Sequence, residues 1–167
     1  QMSEKFRQMG SASIRAYLDG PNTLPARREI ALAYLNSVPL GAIPGYGEVH
    51  SLGDGLWAWY GAEFALMNRL LRADTLTATG PVSSEQATAY RQILCLLIAQ
   101  RRPAWYLGEG YAALQTLTDS YLRLMAAQDV IPAALGDAAL HVQISLRSSG
   151  LPAETSPFAS HKTASTI

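Results

Sequence analysis

The sequence predicts an all-α fold of about six helices of uneven length, and three observations point to it. Apolar residues recur at helical spacing through most of the chain, and helix start and stop signals punctuate them at intervals. Strand-like alternation is confined to HVQISL at residues 141–146. With 49% hydrophobic and 16% charged residues, the composition is that of a chain that folds around a core.

The first helix is expected over residues 3–18, SEKFRQMGSASIRAYL, where Phe6, Met9 and Tyr17 share one face and Met2 lies a turn before Phe6. Lys5, Gln8 and Arg15 line another face, interrupted only by Ala12, which makes this an amphipathic helix with a basic stripe. DGPN (19–22) stops it, and Thr23 with Pro25 opens a second helix whose apolar positions Ile30, Ala33, Tyr34 and Leu35 run on until Pro39. Residues 34–61, YLNSVPLGAIPGYGEVHSLGDGLWAWYG, then spend five glycines before the closing aromatic cluster. Such a run serves either a plain connector or a cleft wall where backbone approaches a ligand.

A third helix follows from Ser51 or Asp54 to about Arg72, because Leu52, Leu56, Tyr60, Phe64, Met67 and Leu71 keep a helical cadence. Residues 73–83 read as a loop. SSEQ (83–86) is a capping box for a fourth helix, apolar on most sides in its second half, until RRPAWYLGEG (101–110) breaks it. A fifth helix spans about 111–127 with Leu114, Leu117, Tyr121 and Met125, and a short sixth occupies 131–141. Residues 1–150 form the helical domain, and the Ser-, Thr-, Pro- and Ala-rich stretch 151–167 reads as a linker or flexible tail.

Thirteen basic and thirteen acidic residues cancel, so no overall field advertises nucleic acid and any anion must be caught locally. The longest aliphatic run, ILCLLIA (93–99), is far short of the roughly 20 residues of a membrane span. It contains the single cysteine, Cys95, whose apolar setting argues for a buried, inert thiol over a catalytic one. No basic and apolar leader precedes the first helix, and the chain opens on Gln1, as expected of an internal piece of a longer protein.

With REIALAYLN (28–36) in view, the sequence resembles the family-51 peptidoglycan glycosyltransferases, the lysozyme-like helical domain of bifunctional penicillin-binding proteins. That family carries Lys-x-x-Ile-Leu-x-x-Tyr-Leu-Asn, an aromatic-Gly pair, a Tyr-Gly step and an aromatic-Phe-Gly-Lys step. The counterparts here are Arg27, Ile30, Tyr34, Leu35 and Asn36, then Leu40 with Gly41, Tyr46 with Gly47, and Trp59, Tyr60 and Gly61. Further on, 93–106, 113–128 and 129–140 follow the family's order of helices, so the resemblance covers residues 3–145. Its specific part is Tyr-Leu-Asn with the glycines around it.

The departures matter as well. The family's basic-Lys-x-x-Glu motif is best placed at EKFRQ (4–8), which keeps Lys5 but puts Gln8 where the glutamate belongs, and the Lys of the later step is Ala62. The motif bearing the general base and the Gly-Gly-Ser-Thr motif would lie before Gln1.

The resemblance implies polymerisation of lipid II into glycan strands at the extracytoplasmic face of the bacterial inner membrane, as part of a longer protein. An acceptor hydroxyl attacks the donor's anomeric carbon and a polyprenyl diphosphate leaves, which needs a carboxylate and cationic donors. It implies Gln8 and Glu48 at the catalytic positions, and Lys5, Arg15, Arg27, Asn36, Gly41, Tyr46 and Gly47 at the substrate. The partner implied is lipid II or a nascent glycan strand, with the membrane surface reached through the parent protein. No cofactor is called for within this chain, and a divalent metal is allowed in the complete domain. Because the general-base motif is missing, the piece is expected to be inactive alone, and the alternative is a degenerate, non-catalytic scaffold binding glycan or a cell-envelope partner.

Each residue also has a plainer reading. The basic stripe of Lys5, Arg7 and Arg15 with Arg27 is equally a solvated helix face. Asn36 at a helix end ties down the loop or donates to a sugar or phosphate oxygen. Glu48 and His50 are two ligand types without a third, too few for a metal site, and His141 and His161 have no evident partner. Trp57 and Trp59 could stack on sugars, while helical spacing puts Tyr60 in the core.

Overall fold

A computed structural model describes residues 2–18, 20–72 and 81–147, without the side chains of residues 2–6, 8 and 12. The expectations for the loop at 73–80 and the tail at 151–167 fall outside the described residues. The chain divides into two compact units, residues 1–38 and residues from 39 onward.

The first unit is a helical hairpin of α1 (Met2–Tyr17) and α2 (Leu24–Leu35). Gly20, at a φ of 100°, turns the chain between them. Thr23 occupies the position before α2 but its side chain makes no cap, and Pro25 preorganises the first turn. The second helix stops four residues before Pro39. There the Ser37 hydroxyl donates to the carbonyls of Ala33 (2.9 Å) and Tyr34 (3.2 Å), and proline cannot continue the ladder. No residue of α2 is buried, so both helices leave much apolar surface uncovered.

The second unit begins with what the sequence did not predict, an antiparallel hairpin of β1 (Pro39–Ile43) and β2 (Gly47–His50). The fold is therefore mostly helical, not all-α. Leu40 and Val49 point inward and are fully buried, while the ladder is irregular between Pro39 and Ala42. Gly41, inside that irregularity, has a φ of 85°, where a side chain is strained.

The expected third helix is broken into parts. The α3 helix (Leu52–Gly55) runs into a π-helical turn, Leu56–Tyr60, which ends at Gly61 before α4 (Phe64–Leu70) starts. Gly61 takes a φ of 70°, its N–H bonds the Trp57 carbonyl at 2.9 Å, and the next N–H reaches back to Leu56 at 3.0 Å. Those bonds close the widened turn and spoil the cadence, so Phe64 is left exposed while Leu56 and Met67 are buried.

The rest is a bundle of α5 (Ser84–Ala99), α6 (Pro103–Tyr106), α7 (Tyr111–Ala127) and α8 (Ala133–His141). The capping box is present as read: Ser83 Oγ accepts from the Gln86 N–H at 3.2 Å, and Gln86 Oε1 accepts from the Ser83 N–H at 3.0 Å. Glu85 follows in the first turn, its carboxyl held below the ordinary value by its own backbone N–H and by Ser83. Leu94, Leu96, Leu114, Leu122, Leu135 and Ala139 fill the core where α5, α7 and α8 meet. HVQISL does not form a strand with any described residue. Residues 142–147 run extended, with the Ile144 carbonyl accepting from Tyr111 Oη (3.3 Å) and the Arg147 N–H donating to the Trp59 carbonyl (2.8 Å).

Candidate functional site

In the first unit the two helices enclose an open trough of about 580 Å³, lined by Ser13, Ala16 and Tyr17 from α1, and by Thr23, Arg27, Ile30, Ala31 and Tyr34 on the α2 side. Its origin is visible in the residue types. Small side chains at 13, 16 and 31 leave space between the helices, and the two tyrosines and Ile30 give that space apolar walls. Arg27 is the one charge in the lining, exposed and without an ion-pair or hydrogen-bond partner among the described residues. A guanidinium with five free donors at an apolar trough suits a planar or tetrahedral oxyanion carried by a hydrophobic or sugar-like group.

The other expected site residues of this unit are not all gathered there. Arg15 is exposed and outside the lining. Asn36 caps α2 with its backbone N–H on the Leu32 carbonyl (3.0 Å), and its exposed side-chain amide has no partner among the described residues and does not line the trough. Lys5 and Gln8 belong to α1 by backbone, but their side chains lie outside the described residues.

In the second unit, Gly41, Tyr46, Gly47 and Glu48 all lie on the β-hairpin. Gly41, Gly45 and Gly47 have positive φ, and nothing crowds the last two, so turn geometry accounts for them. Tyr46 is occupied structurally: its hydroxyl donates to Asp54 Oδ1, and Asp54 Oδ2 accepts from the His50 N–H at 3.0 Å. Asp54 is 2% exposed, and its N–H in turn reaches Ser51 Oγ at 3.1 Å. Ser51 holds a φ of 75°, an unusual value for a residue with a side chain, fixed by this network.

Glu48 projects outward, with Oε2 at 2.9 Å from His50 Nε2, an exposed pair. Among the described residues no cluster of three or more His, Cys, Asp or Glu could hold a metal ion. Trp59 serves the fold, its Nε1 donating to the Leu40 carbonyl at 2.9 Å, and Trp57 lies under the Arg147 guanidinium at 5.4 Å.

The bundle contains a buried polar seam that sequence reasoning missed. Arg91, 5% exposed, donates through Nη1 to the Ala139 carbonyl (2.8 Å) and through Nε and Nη2 to Gln115 Oε1 (3.2 and 2.8 Å). Its Nη2 also stands 2.7 Å from Asp119 Oδ1, an ion pair too oblique to count as a hydrogen bond. Cys95 Sγ lies 3.2 Å from Thr118 Oγ1, and burial pushes its thiol above the ordinary range. Burial likewise raises Tyr60 strongly, and its hydroxyl sits by Tyr111 and Cys95 without completing a hydrogen bond. The available signal was a lone arginine at the head of the apolar half of α5, where it must find an acid at its own height in the bundle.

Such a seam holds three helices together, and its thiol and guanidinium, Cys95 and Arg91, are both buried away from solvent. The trough, with its unpaired cation, is the better candidate for binding. Comparison with family models, curated proteins and solved structures returns no match to this chain.

Proposed function

We propose that this chain is part of a peptidoglycan glycosyltransferase of family 51, and that the α1–α2 trough holds the phosphorylated, lipid-linked end of its substrate. The observation that carries the reading is Arg27, an exposed guanidinium without a partner among the described residues, set with Tyr17, Ile30 and Tyr34 in an open trough. Arg27 also begins the stretch that ends in Tyr34, Leu35 and Asn36, on which the family resemblance rests. In this role Arg27 takes the diphosphate oxygens, and the apolar walls take the first isoprene units or the sugar face. Lipid II or the nascent glycan is the partner, at the extracytoplasmic membrane surface and within a longer protein that supplies the general base. Asn36 and Glu48, both exposed and outside the trough lining, stand as the further polar groups that the resemblance assigns to the substrate and to a catalytic position.

The test is titration with a soluble short-chain lipid II analogue, read by the resonances of the trough tyrosines. Arg27→Ala weakens that binding about tenfold or more, the worth of one charge-assisted contact to phosphate. Absence of saturable binding to the wild-type chain contradicts the reading. A second reading, the non-catalytic scaffold, is favoured by Gln8 standing where the family has glutamate. Gln8→Glu in the parent protein separates the two: a large gain of polymerisation marks a decayed enzyme, and no gain marks a scaffold.

A further inference from the structure

Residues 52–71 of the second unit carry two conflicting instructions. In a single α-helix, Leu52, Leu56, Tyr60, Phe64, Met67 and Leu71 would share one apolar face, yet the chain widens into the π-helical turn and breaks at Gly61. The break has a cost. It leaves Phe64 39% exposed, sets Glu63 in extended backbone at a ψ of 126°, and buries the Tyr60 hydroxyl without a hydrogen-bond partner among the described residues. What holds it is the extended segment 142–147. The Arg147 N–H donates to the Trp59 carbonyl at 2.8 Å, the group that an uninterrupted helix would offer to the Glu63 N–H. The Arg147 guanidinium lies over the Trp57 ring at 5.4 Å and fills the space beside Gly61, with Nη1 buried and unpartnered among the described residues. Val142, Ile144 and Leu146 are half-buried and alternate with exposed Gln143 and Ser145, and the Ile144 carbonyl accepts from Tyr111 Oη at 3.3 Å.

We infer that residues 142–147 form a releasable strap and that residues 52–71 are a two-state element, broken at Gly61 while the strap is docked and continuous α-helix once it lifts. Each step is an exchange of bonds. When Arg147 leaves, the Trp59 carbonyl takes the Glu63 N–H, the Ala62 N–H moves from Leu56 to Ala58, and Gly61 drops from a φ of 70° into the helical region. Phe64 then rejoins the face of Leu56 and Tyr60, and the buried, unpaired Nη1 of Arg147 is released to water. Opposing the change is the loss of the Met67 packing and of the Gln86 Nε2 bond to the Leu70 carbonyl (3.4 Å), which favours the broken form while the strap is down. The change reaches the β-hairpin. Trp59 Nε1 donates to the Leu40 carbonyl at 2.9 Å, so rewinding the π-helical turn carries that indole off β1, and a partner that takes residues 142–147 is felt at Leu40. The device belongs to the second unit and does not rest on the ligand of the trough.

The experiment is backbone NMR of the whole chain, comparing the parent with the double variant Ile144→Asp, Arg147→Ala, which removes the strap's inward anchor and its guanidinium. Helical Cα shifts are expected to appear at Gly61, Ala62 and Glu63. Amide exchange of Glu63, Phe64 and Ala65 slows about tenfold or more as these N–H groups gain carbonyl partners. Adding Glu63→Pro supplies the control, since proline suits the φ of −80° that Glu63 has in the broken form and forbids the continuous helix. The triple variant therefore loses both helical signals. A double variant with the parent's shifts at residues 61–63 overturns the inference. So does one in which residues 56–64 lose structure or the whole fold is lost, for the segment would then be a fixed support. Helical signals that persist in the triple variant overturn it as well.

Discussion

Asp54 is the residue on which the hairpin's geometry turns. Its buried carboxylate receives the Tyr46 hydroxyl and the His50 N–H, and its own N–H meets Ser51, so one side chain fixes the exit of β2 and the start of α3. Asp54→Ala is expected to cost on the order of 2–4 kcal/mol, because it removes the acceptor of two part-buried donors and the cavity-filling carboxylate between them. Chemical denaturation measures that cost, and a loss below about 1 kcal/mol would show that the network is solvated. Cys95 and Tyr60 give a pH signature. Their folded values are raised by burial above the ordinary 9.0 and 10.0, so the folded chain keeps protons that the unfolded chain releases. Stability is therefore level below about pH 8.5 and falls as pH rises through 9 and 10, at up to about 1.4 kcal/mol per pH unit for each group. Urea midpoints measured from pH 7 to 10.5 test the sign, and Cys95 stays unlabelled by thiol reagents until the chain unfolds.

Elements show where the sequence could be read and where it could not. The capping box at Ser83, the span 111–127 and the short helix before His141 were legible, because local hydrogen bonds and long apolar periods specify them without help from distant residues. Replacing Ser83 by Ala removes the cap and is expected to cost about 1 kcal/mol by thermal melting. The β-hairpin was not legible, since PLGAI and GEVH are short and rich in glycine, and their pairing is decided by Leu40 and Val49 reaching a core built later in the chain. The expected third helix failed for a related reason. Its cadence is real, but Gly61 admits a left-handed turn that a helix cannot use, and Arg147 from the far end of the described chain packs against it. A Cβ on Gly61 would fall 2.2 Å from Arg147 Nη2. Gly61→Ala is expected to destabilise by about 1–2 kcal/mol, mostly through φ, and to shift Trp57 fluorescence as the guanidinium leaves the ring.

At the scale of the whole molecule, the buried core and the candidate binding trough lie in different units. The buried leucines and the Arg91 seam lie in the second unit, and Arg91→Met is expected to remove on the order of 2–4 kcal/mol there by leaving Asp119 and the Ala139 carbonyl unanswered. The first unit, with no buried residue in α2, exchanges its amide hydrogens much faster than α5 and α7, which hydrogen-exchange mass spectrometry reads directly. Of the candidate site, the sequence made Arg27 legible as a cation on the second helix. It could not tell that Asn36 lies outside the trough while Tyr17 lines it, because that depends on how two helices cross. On the proposed function, the trough holds a phosphorylated, lipid-linked sugar through Arg27. Calorimetric titration of the wild-type and Arg27→Ala chains with the short-chain lipid II analogue decides this. Saturable binding that weakens at least tenfold in the variant is the outcome expected, and identical heats from the two chains would contradict it.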